Sequence, residues 1–284
     1  MKKDKTLTLA IVIPVFNEQS HLKSCLEAIA KQSDMPNEVI VVDNNSTDDT
    51  IAIAKQFEFV NLIVEKKQGV LNARNTGFSK VKSDIIGRID ADTRIDKDWT
   101  RQVLRIFSDE DVAAATGPVY WYDMPLKEKN YVAEHAFKKL LYKYDKEFPF
   151  LLGANMAVRK SVWDQVSSEL CPDKTIHEDM DLAIHLYLDN EHIVYDAGMR
   201  AGASSRRFDS GPEAFFAYSE MMTNSFAIHD MNPIGAKVAI AAYSFGYLAL
   251  SPLRRAYDDD SGRRSIKRLF KKSNTPRNNP NGEI

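Results

Sequence analysis

Apolar and polar positions along the chain follow two different periods. Short runs rich in β-branched residues indicate strands, and stretches with an apolar position every three or four residues indicate helices. We predict strands over residues 7–15, 39–43, 62–64 and 85–89, separated by helices over 20–32, 46–56 and 70–80. The 46–56 helix should open with a capping box at 46–49. This spacing is typical of βαβ units, so we expect an α/β fold with a mostly parallel central sheet flanked by helices.

Beyond residue 92 the pattern is less regular. We predict helices over 99–107, 127–147, 178–189 and 212–229, a strand-rich stretch over 112–122 and a strand over 192–195. From about residue 273 the composition turns to Asn, Pro, Lys and Gly, so we expect a disordered tail over 273–284.

A long apolar stretch occupies residues 234–253. Lys237 interrupts it, and about 15 uncharged residues are fewer than the about 20 that a membrane-spanning helix needs. Two interpretations remain open. One is a core helix or the interface of a homodimer, and the other is a helix lying in a membrane interface, which would make a peripheral membrane contact.

The charge distribution bears on the second interpretation. The 284 residues carry a net charge of −2, and 44% hydrophobic with 27% charged residues is ordinary for a globular protein. Residues 263–284 hold seven basic residues and one acidic residue, a net +6, which leaves −8 on the rest of the chain. Such a tail suits an anionic partner, either a membrane surface or nucleic acid.

The N-terminus and the cysteines indicate the compartment. Residues 1–5 read Met-Lys-Lys-Asp-Lys and lead directly into a predicted strand, so we expect no signal peptide. Cys25 and Cys171 match no metal-binding or redox spacing. We interpret them as buried or incidental thiols in a reducing compartment.

Two carboxylates follow the fourth predicted strand. Asp90 and Asp92 stand two residues apart, and in a strand such side chains point to the same side. At the carboxyl edge of a parallel sheet, where ligands bind, they offer hard oxygen ligands for Mg²⁺ or Mn²⁺ bridged to a diphosphate. The alternative is a solvated turn in which Asp92 caps the next helix.

Further polar residues follow the other predicted strands. Asp43 ends the second strand, where a carboxylate can accept hydrogen bonds from a nucleobase or ribose. Gly69 precedes a predicted helix that carries Arg74, an arrangement that suits a phosphate or a base edge. The chain has no G-x-G-x-x-G after the first strand and no P-loop sequence, which argues against a dinucleotide-binding Rossmann enzyme and a P-loop NTPase.

A second acidic cluster, His177-Glu178-Asp179-Met180-Asp181, opens the 178–189 helix. The helix dipole partly explains acids at this position, and Asp181 stands where a zincin would need its second histidine. The functional interpretation is a general base, because a like-charged neighbour raises the proton affinity of a carboxylate.

Two other segments are candidates for the acceptor and diphosphate side. Gly153, Ala154 and Asn155 can form the near wall of an acceptor pocket. Arg206 and Arg207 either neutralise a leaving diphosphate or are surface charges.

Together these motifs resemble glycosyltransferase family 2. The matching segments are, in order, residues 11–18, 41–50, 69–75, Asp90-Ala91-Asp92 and Glu178-Asp179, within roughly residues 7–210. The resemblance implies an inverting enzyme of GT-A fold that uses a nucleotide-diphosphate sugar. It also implies a GT-A catalytic domain over 1–210, with a nucleotide-binding half at about 1–95 and an acceptor-binding half at about 96–210, followed by a helical region over 211–272.

The resemblance also implies roles for single residues. Asp179 would be the catalytic base with Glu178 beside it, and Asp92 would ligate the metal with Asp90 on the ribose or metal side. Asp43 would contact the base, and Arg74 would lie near the base or diphosphate. The full nucleotide-sugar site would comprise Pro14, Val15, Phe16, Asn17, Glu18, Asp43, Asn45, Gly69, Asn72, Arg74, Asp90, Ala91 and Asp92.

One departure concerns the metal. Many relatives place a histidine after the strand that follows the Glu-Asp pair, whereas residues 203–207 read Ala-Ser-Ser-Arg-Arg. Either the arginines take over the diphosphate, or fewer protein ligands hold the metal.

These observations predict a metal-assisted glycosyltransferase using Mn²⁺ or Mg²⁺. We expect a nucleotide-diphosphate-sugar donor, a glycan or lipid-linked acceptor, no nucleic-acid partner, and a location in the cytoplasm or at the cytoplasmic membrane face. One alternative is a nucleotidyltransferase that makes sugar nucleotides, which usually has a glycine-rich basic loop where residues 16–19 read Phe-Asn-Glu-Gln. The other alternative is a non-catalytic nucleotide-sugar-binding protein. The presence of Asp90, Asp92, Glu178 and Asp179 argues against it.

Overall fold

The computed structural model describes residues 6–124, 127–144, 149–232, 234–258 and 263–264. The strands are β1 (Leu9–Val15), β2 (Glu38–Asp43), β3 (Val60–Val64), β4 (Ile85–Arg88), β5 (Arg94–Ile95), β6 (Val112–Thr116), β7 (Val119–Trp121), β8 (Met156–Arg159), β9 (His192–Tyr195), β10 (Ala201–Ala203), β11 (Tyr257–Asp258) and β12 (Arg263–Arg264). The helices are α1 (Leu22–Ala30), α2 (Thr50–Ala54), α3 (Val70–Lys80), α4 (Trp99–Phe107), α5 (Lys127–Tyr144), α6 (Lys160–Val166), α7 (Glu178–Leu188), α8 (Pro212–Ala227) and α9 (Ile234–Ala256).

Seven strands form the central sheet in the order β3-β2-β1-β4-β8-β6-β9. All neighbours are parallel except β8, which runs antiparallel to both β4 and β6. Helices cover both faces, which explains why β1, β2 and β4 are continuous apolar runs rather than alternating ones. The predicted α/β fold with a mostly parallel sheet is confirmed, although β8 was missed because four residues give little periodicity.

A second, smaller sheet joins β5, β10 and β7. The strand-rich stretch predicted over 112–122 is therefore two strands in two different sheets. Gly117 and Pro118 separate them: a Cβ on Gly117 would lie 2.1 Å from the carbonyl oxygen of Met199, so the two backbones approach too closely for a side chain. The chain can turn from one sheet to the other at this point.

The capping box predicted over 46–49 does not form. Helix α2 is only five residues long and begins at Thr50. The hydroxyl of Ser46 instead accepts the N–H of Asn17, at 3.0 Å, and Asp48 accepts both the N–H and the hydroxyl of Thr50. These polar residues hold the loop after β2 against the loop after β1.

Buried side chains below the sheet form one cluster that runs from Leu9 in β1 to Ala201 in β10. Trp99 at the start of α4 is fully buried in this cluster. The cluster thus draws on both predicted halves, and the proposed boundaries at residues 95, 210 and 272 stay predictions.

The predicted apolar stretch 234–253 lies within one long helix, α9. The 19 residues Ile234–Pro252 have a mean hydropathy of 1.3, and only 28% of the segment is buried. By length and composition alone this segment can cross a membrane, so the expectation that it is too short is wrong. The disordered tail predicted over 273–284, and nearly all of the basic segment, lie outside the described residues.

Candidate active site at the carboxyl edge of the sheet

A cavity of about 290 Å³ opens at the carboxyl ends of β1 and β4, against the first turn of α7. Among the predicted site residues, its wall contains Pro14, Val15, Phe16, Asn17, Glu18, Asp90, Ala91, Gly153, Glu178, Asp179 and Arg206. The parallel strands bring the first and fourth strand ends to one edge, as their topology requires. The structure therefore gathers residues from 14 to 206 around one space.

Asp179 lies at the start of α7 with both carboxylate oxygens held. Oδ2 accepts the N–H of Gly153 at 2.6 Å, and Oδ1 accepts the N–H of Met180 at 2.8 Å. Burial raises the pKa of Asp179, and the negative charge of Glu178 raises it further. This fixes the orientation of a carboxylate whose proton affinity is above the ordinary value, which is what a general base requires.

Arg88, the last residue of β4, links the two acidic motifs. Its Nη2 lies 3.1 Å from Oδ1 of Asp90 and 2.9 Å from Oε1 of Glu178. Burial alone would lower the pKa of Arg88, but Asp90 and Glu178 together hold it above its usual value. One buried guanidinium thus connects the carboxyl end of β4 to the helix that carries Asp179.

The sequence predicted that Asp90 and Asp92 share one side of a strand, and this prediction is wrong. The strand ends at Arg88, both acids lie in the turn that follows, and their side chains reach different partners. Nε of Arg206 donates to Oδ2 of Asp92 at 2.8 Å, and Nη2 of Arg206 donates to Oε1 of Glu18 at 2.5 Å. Arg206 therefore joins Asp92, which follows β4, to Glu18, which follows β1, at the wall of the cavity.

The oxygen chemistry around Asp92 fits a divalent cation. Its Oδ1 is buried and has no hydrogen-bond partner among the described residues, and the Asp92 side chain is only 1% exposed. A buried carboxylate oxygen without a donor is costly unless a cation binds there. One or two carboxylates plus substrate phosphates are the usual ligands of Mg²⁺.

Arg74 lies behind the cavity rather than in its wall. It is 1% exposed, its Nη1 donates to the carbonyl of Glu178 at 2.5 Å, and its guanidinium lies over the ring of Trp163 at 5.3 Å. Burial lowers its pKa to about 10. In this geometry Arg74 supports the first turn of α7.

The loops after β2 and β3 are tied by Asn44. Its amide nitrogen donates to the carbonyls of Glu65 and Lys67, each at 2.8 Å, and its Oδ1 accepts the N–H of Gly69 at 2.7 Å. Gly69 has φ of +127°, a conformation that favours glycine.

The remaining predicted residues of these loops make local bonds. Asp43 is buried, and its Oδ2 accepts the N–H of Ser46. Asn45 and Asn72 donate to the carbonyls of Lys66 and Gln68. None of these three residues belongs to the wall of the cavity.

Two acceptor-side candidates occupy other positions. Asn155 is fully buried: Oδ1 accepts the indole N–H of Trp99 at 2.7 Å, and Nδ2 donates to the carbonyls of Pro118 and Met199. Arg207 turns away from Arg206 and packs its guanidinium over the ring of Tyr218 at 3.4 Å. The adjacent arginines therefore do not act as a pair.

A second cavity, of about 430 Å³, adjoins the first on the α8 and α9 side. Its wall is largely apolar and includes Phe137, Phe150, Met180, Phe208, Phe215, Met222, Tyr243 and Leu250. Asp179 and a buried ion pair, Glu134 with Lys138, belong to the walls of both cavities. The Asp179 carboxylate thus stands between a cavity of mixed polar and apolar lining, which we call the donor cavity, and a largely apolar one.

Sequence reasoning missed three of these residues. Arg88 carried a signal, because a charged residue inside the apolar run 85–89 needs a buried partner. Glu134 and Lys138 are spaced for an i, i+4 pair on α5, but such pairs are usually exposed and nothing local indicated burial.

Known proteins resemble this chain in sequence and in fold. Glycosyltransferase AglE of Haloferax volcanii is 33% identical over 118 residues, which is 39% of this chain and 39% of that protein. Undecaprenyl-phosphate 4-deoxy-4-formamido-L-arabinose transferase of Sodalis glossinidius is 35% identical over 101 residues, 32% of this chain and 30% of that protein. The alignments thus span well under half of these relatives.

Among solved structures, a similar one is mannosyltransferase PcManGT from Pyrobaculum calidifontis in complex with GDP-Man and Mn²⁺. It has a TM-score of 0.64 at 16% identity and covers 93% of this chain and 78% of that one. This likeness shows a shared fold, the predicted GT-A fold. The family model described as Glycosyl transferase family 2 matches residues 10–166, more than half of the sequence, and the chain belongs to that family.

Proposed function

We propose that this protein transfers a sugar, with inversion, from a nucleotide-diphosphate sugar to an acceptor hydroxyl. The observation that carries the proposal is Asp179, fixed by two backbone N–H groups at the junction of the donor cavity and the apolar cavity. Its raised proton affinity suits removal of a proton from the acceptor hydroxyl, which then attacks the anomeric carbon.

The nucleotide-sugar donor would occupy the first cavity, the donor cavity. The segment Pro14–Glu18 supports contacts to the nucleotide, with Asp43 toward the base, and the loops tied by Asn44 hold that edge rigid. A divalent metal held by Asp92, with Asp90 nearby, would neutralise charge that develops on the leaving diphosphate. Arg206, which contacts Asp92 and Glu18, would remain beside the diphosphate and supply further positive charge.

The apolar cavity supports a lipid-linked acceptor. Aromatic and aliphatic side chains of α5, α8 and α9 line it, while its inner end reaches Asp179. An acyl or prenyl chain binds well to such a surface, and the acceptor hydroxyl or phosphate would lie at the polar end near Lys138. The name of the Sodalis relative, an undecaprenyl-phosphate transferase, is consistent with this class of acceptor.

The central test is Asp179→Asn, with Asp189→Asn at the other end of α7 as the matched control. Turnover is measured as release of nucleoside diphosphate from a panel of UDP-, GDP- and dTDP-sugars, and donor binding by calorimetry. We expect Asp179→Asn to lower kcat about 10²–10⁴-fold with donor binding nearly unchanged, because a base acts in the transition state. Near-wild-type kcat would rule out Asp179 as the base, and no binding by the wild type to any donor would contradict the proposed function.

The outer face of α9 supports a peripheral membrane contact. Ile234, Val238, Phe245 and Leu248 are 61%, 51%, 75% and 66% exposed. With exposed Ala241 and Pro252 they recur every three or four residues, which places them on one stripe of the helix. The opposite face, with Ala236, Ala239 and Tyr247, is buried against the protein. A helix that is apolar on both faces, beside an apolar cavity, suits a position at the cytoplasmic membrane surface.

Vesicle sedimentation tests this contact. We expect the protein to pellet with anionic but not with neutral vesicles, and high salt to release it, because the basic segment contributes about 1 kcal/mol per residue at best. Phe245→Ser with Leu248→Ser should weaken binding, whereas Val64→Ser with Leu188→Ser, apolar residues elsewhere that are 56% and 51% exposed, should not. Protein that stays in the supernatant and forms a dimer lost on deletion of residues 234–284 would favour a homodimer interface instead.

A further inference from the structure

We propose that Cys171, Asp181, His185 and His229 bind one Zn²⁺ ion at a structural site separate from the donor cavity. We name these four residues the Cys-Asp-His-His cluster. Their potential ligand atoms all lie within 4.8 Å of one another. None of the four belongs to the wall of either cavity described above.

The spacing of the ligand atoms is close to that of a tetrahedral zinc site. Zinc bonds of about 2.0–2.3 Å to nitrogen, oxygen and sulfur put neighbouring ligands about 3.3–3.8 Å apart. Nε2 of His185 lies 3.7 Å from Oδ1 of Asp181, and Sγ of Cys171 lies 3.9 Å from Nε2 of His229. The hydrogen bond between Nε2 of His229 and Oδ1 of Asp181, at 2.8 Å, needs to open by only about half an ångström for the ion to enter.

Burial and hydrogen bonding also indicate a cation-binding site. Asp181 is fully buried, and the side chains of His185 and His229 are 14% and 8% exposed. Nε2 of His185 is buried and makes no hydrogen bond among the described residues, although it faces the same carboxylate oxygen as Nε2 of His229. The two imidazole rings lie at 90° with centroids 4.8 Å apart, so they do not stack, and both Nε2 atoms face Oδ1 of Asp181.

The ligand types select zinc over magnesium or manganese. Imidazole and thiolate are soft or borderline ligands typical of zinc, whereas Asp90 and Asp92 offer only the hard oxygens that magnesium and manganese prefer. Four protein ligands leave no open position for a water or substrate, which is the pattern of a structural site.

The cluster connects three parts of the chain that meet at α7. Cys171 belongs to the segment before the helix, Asp181 and His185 lie on adjacent turns of it, and His229 follows the end of α8. Asp179 lies two residues before the ligand Asp181 in the same helix. A zinc ion here would attach the C-terminal helices to the helix that carries the proposed base. No spacing in the sequence indicates this site, because the four residues span 59 positions.

Zinc analysis of the full-length chain, purified with its affinity tag removed and without chelator, tests the site. After addition of zinc chloride and desalting we expect one Zn²⁺ per chain by mass spectrometry. Substitution by Co²⁺ should give visible bands of a tetrahedral ion and a near-ultraviolet sulfur-to-cobalt charge-transfer band. Cys171→Ser should remove the charge-transfer band and His229→Gln should lower the zinc content. The matched controls, Cys25→Ser for the other thiol and His192→Gln for an exposed histidine on β9, should change neither.

Two outcomes would overturn the proposal. One is wild-type protein that holds well under one equivalent of zinc and shows no cobalt–thiolate band. The other is a zinc content that Cys171→Ser and His229→Gln both leave unchanged, which would put the ion elsewhere. If these variants do not fold, the cobalt spectra of the wild type and of Cys25→Ser decide alone, because only Cys171 then remains to supply the thiolate.

Discussion

Replacing Gly153 by alanine tests the link between the two acidic motifs. A Cβ at this position would lie 1.0 Å from Nη1 of Arg88, so the guanidinium must move. Arg88 is 4% exposed and pairs with Asp90 and Glu178, which leaves it little room to move without losing a partner. Overpacking costs about 1–3 kcal/mol, and breaking a buried ion pair costs about 3–5 kcal/mol. We therefore expect Gly153→Ala to lower the free energy of unfolding by about 1–5 kcal/mol, with the upper end reached if Arg88 loses an ion-pair partner.

Urea denaturation and thermal melting measure this loss. A change of 1 kcal/mol shifts Tm by about 2–4 °C in a chain of this size, so the variant should melt several degrees lower. Gly246→Ala is the matched control for stability, because a Cβ there meets nothing within 4 Å and alanine is favoured in a helix by about 1 kcal/mol. Its stability should be unchanged or slightly higher. If the two variants melt together, Arg88 is free to relax and its ion pairs do not fix the site.

Three further variants address the metal, the base and the core. Asp92→Asn should weaken turnover and its dependence on Mn²⁺, and an unchanged Mn²⁺ titration would remove the metal assignment. Glu178→Gln should move the acid limb of kcat to lower pH, because the charge of Glu178 helps to raise the pKa of Asp179 above 3.8 and the base works only when ionised. A limb that stays in place or moves to higher pH would contradict that coupling. Trp99→Phe leaves Oδ1 of Asn155 buried without its donor, so the free energy of unfolding should fall by about 1–3 kcal/mol, and an unchanged urea midpoint would show that this bond is dispensable.

The pattern of apolar and polar residues predicted the bounds of helices and strands well in some segments. The bounds predicted for α3, α4 and β9 agree with the structure. Helix α4 has a clear amphipathic period between Asp98 and Ser108, and the short strand β9 lies between the polar residues Glu191 and Asp196. The pattern failed at α2, where the polar residues after β2 bond to the β1 loop instead of capping the helix. A sequence window cannot distinguish these two uses of the same donors and acceptors.

The sequence predicted which strand ends contribute to the candidate site, but it did not predict the ion pairs and hydrogen bonds that connect their side chains. The parallel topology alone brings Glu18 and Asp90 together, because the carboxyl ends of parallel strands share an edge. Asp179 reaches the same cavity from the first turn of α7, which the strand pattern does not position. The bond from Arg206 to Asp92 joins residues 114 positions apart, and no local signal says which of two adjacent arginines turns inward. The Cys-Asp-His-His cluster was missed for the same reason.

The position of β8 has a consequence for synthesis of the chain. Its antiparallel strand covers the outer edge of β4, yet roughly seventy residues separate the two, and at about 5–20 residues per second they take on the order of 4–14 s to make. During that interval the emerging sheet of β1 to β4 has an apolar edge with unpaired N–H and C=O groups. Such an edge is a template for pairing with other chains. Nascent or truncated chains that end before Met156 should therefore aggregate or recruit chaperones, and expression of the first half alone should give insoluble protein.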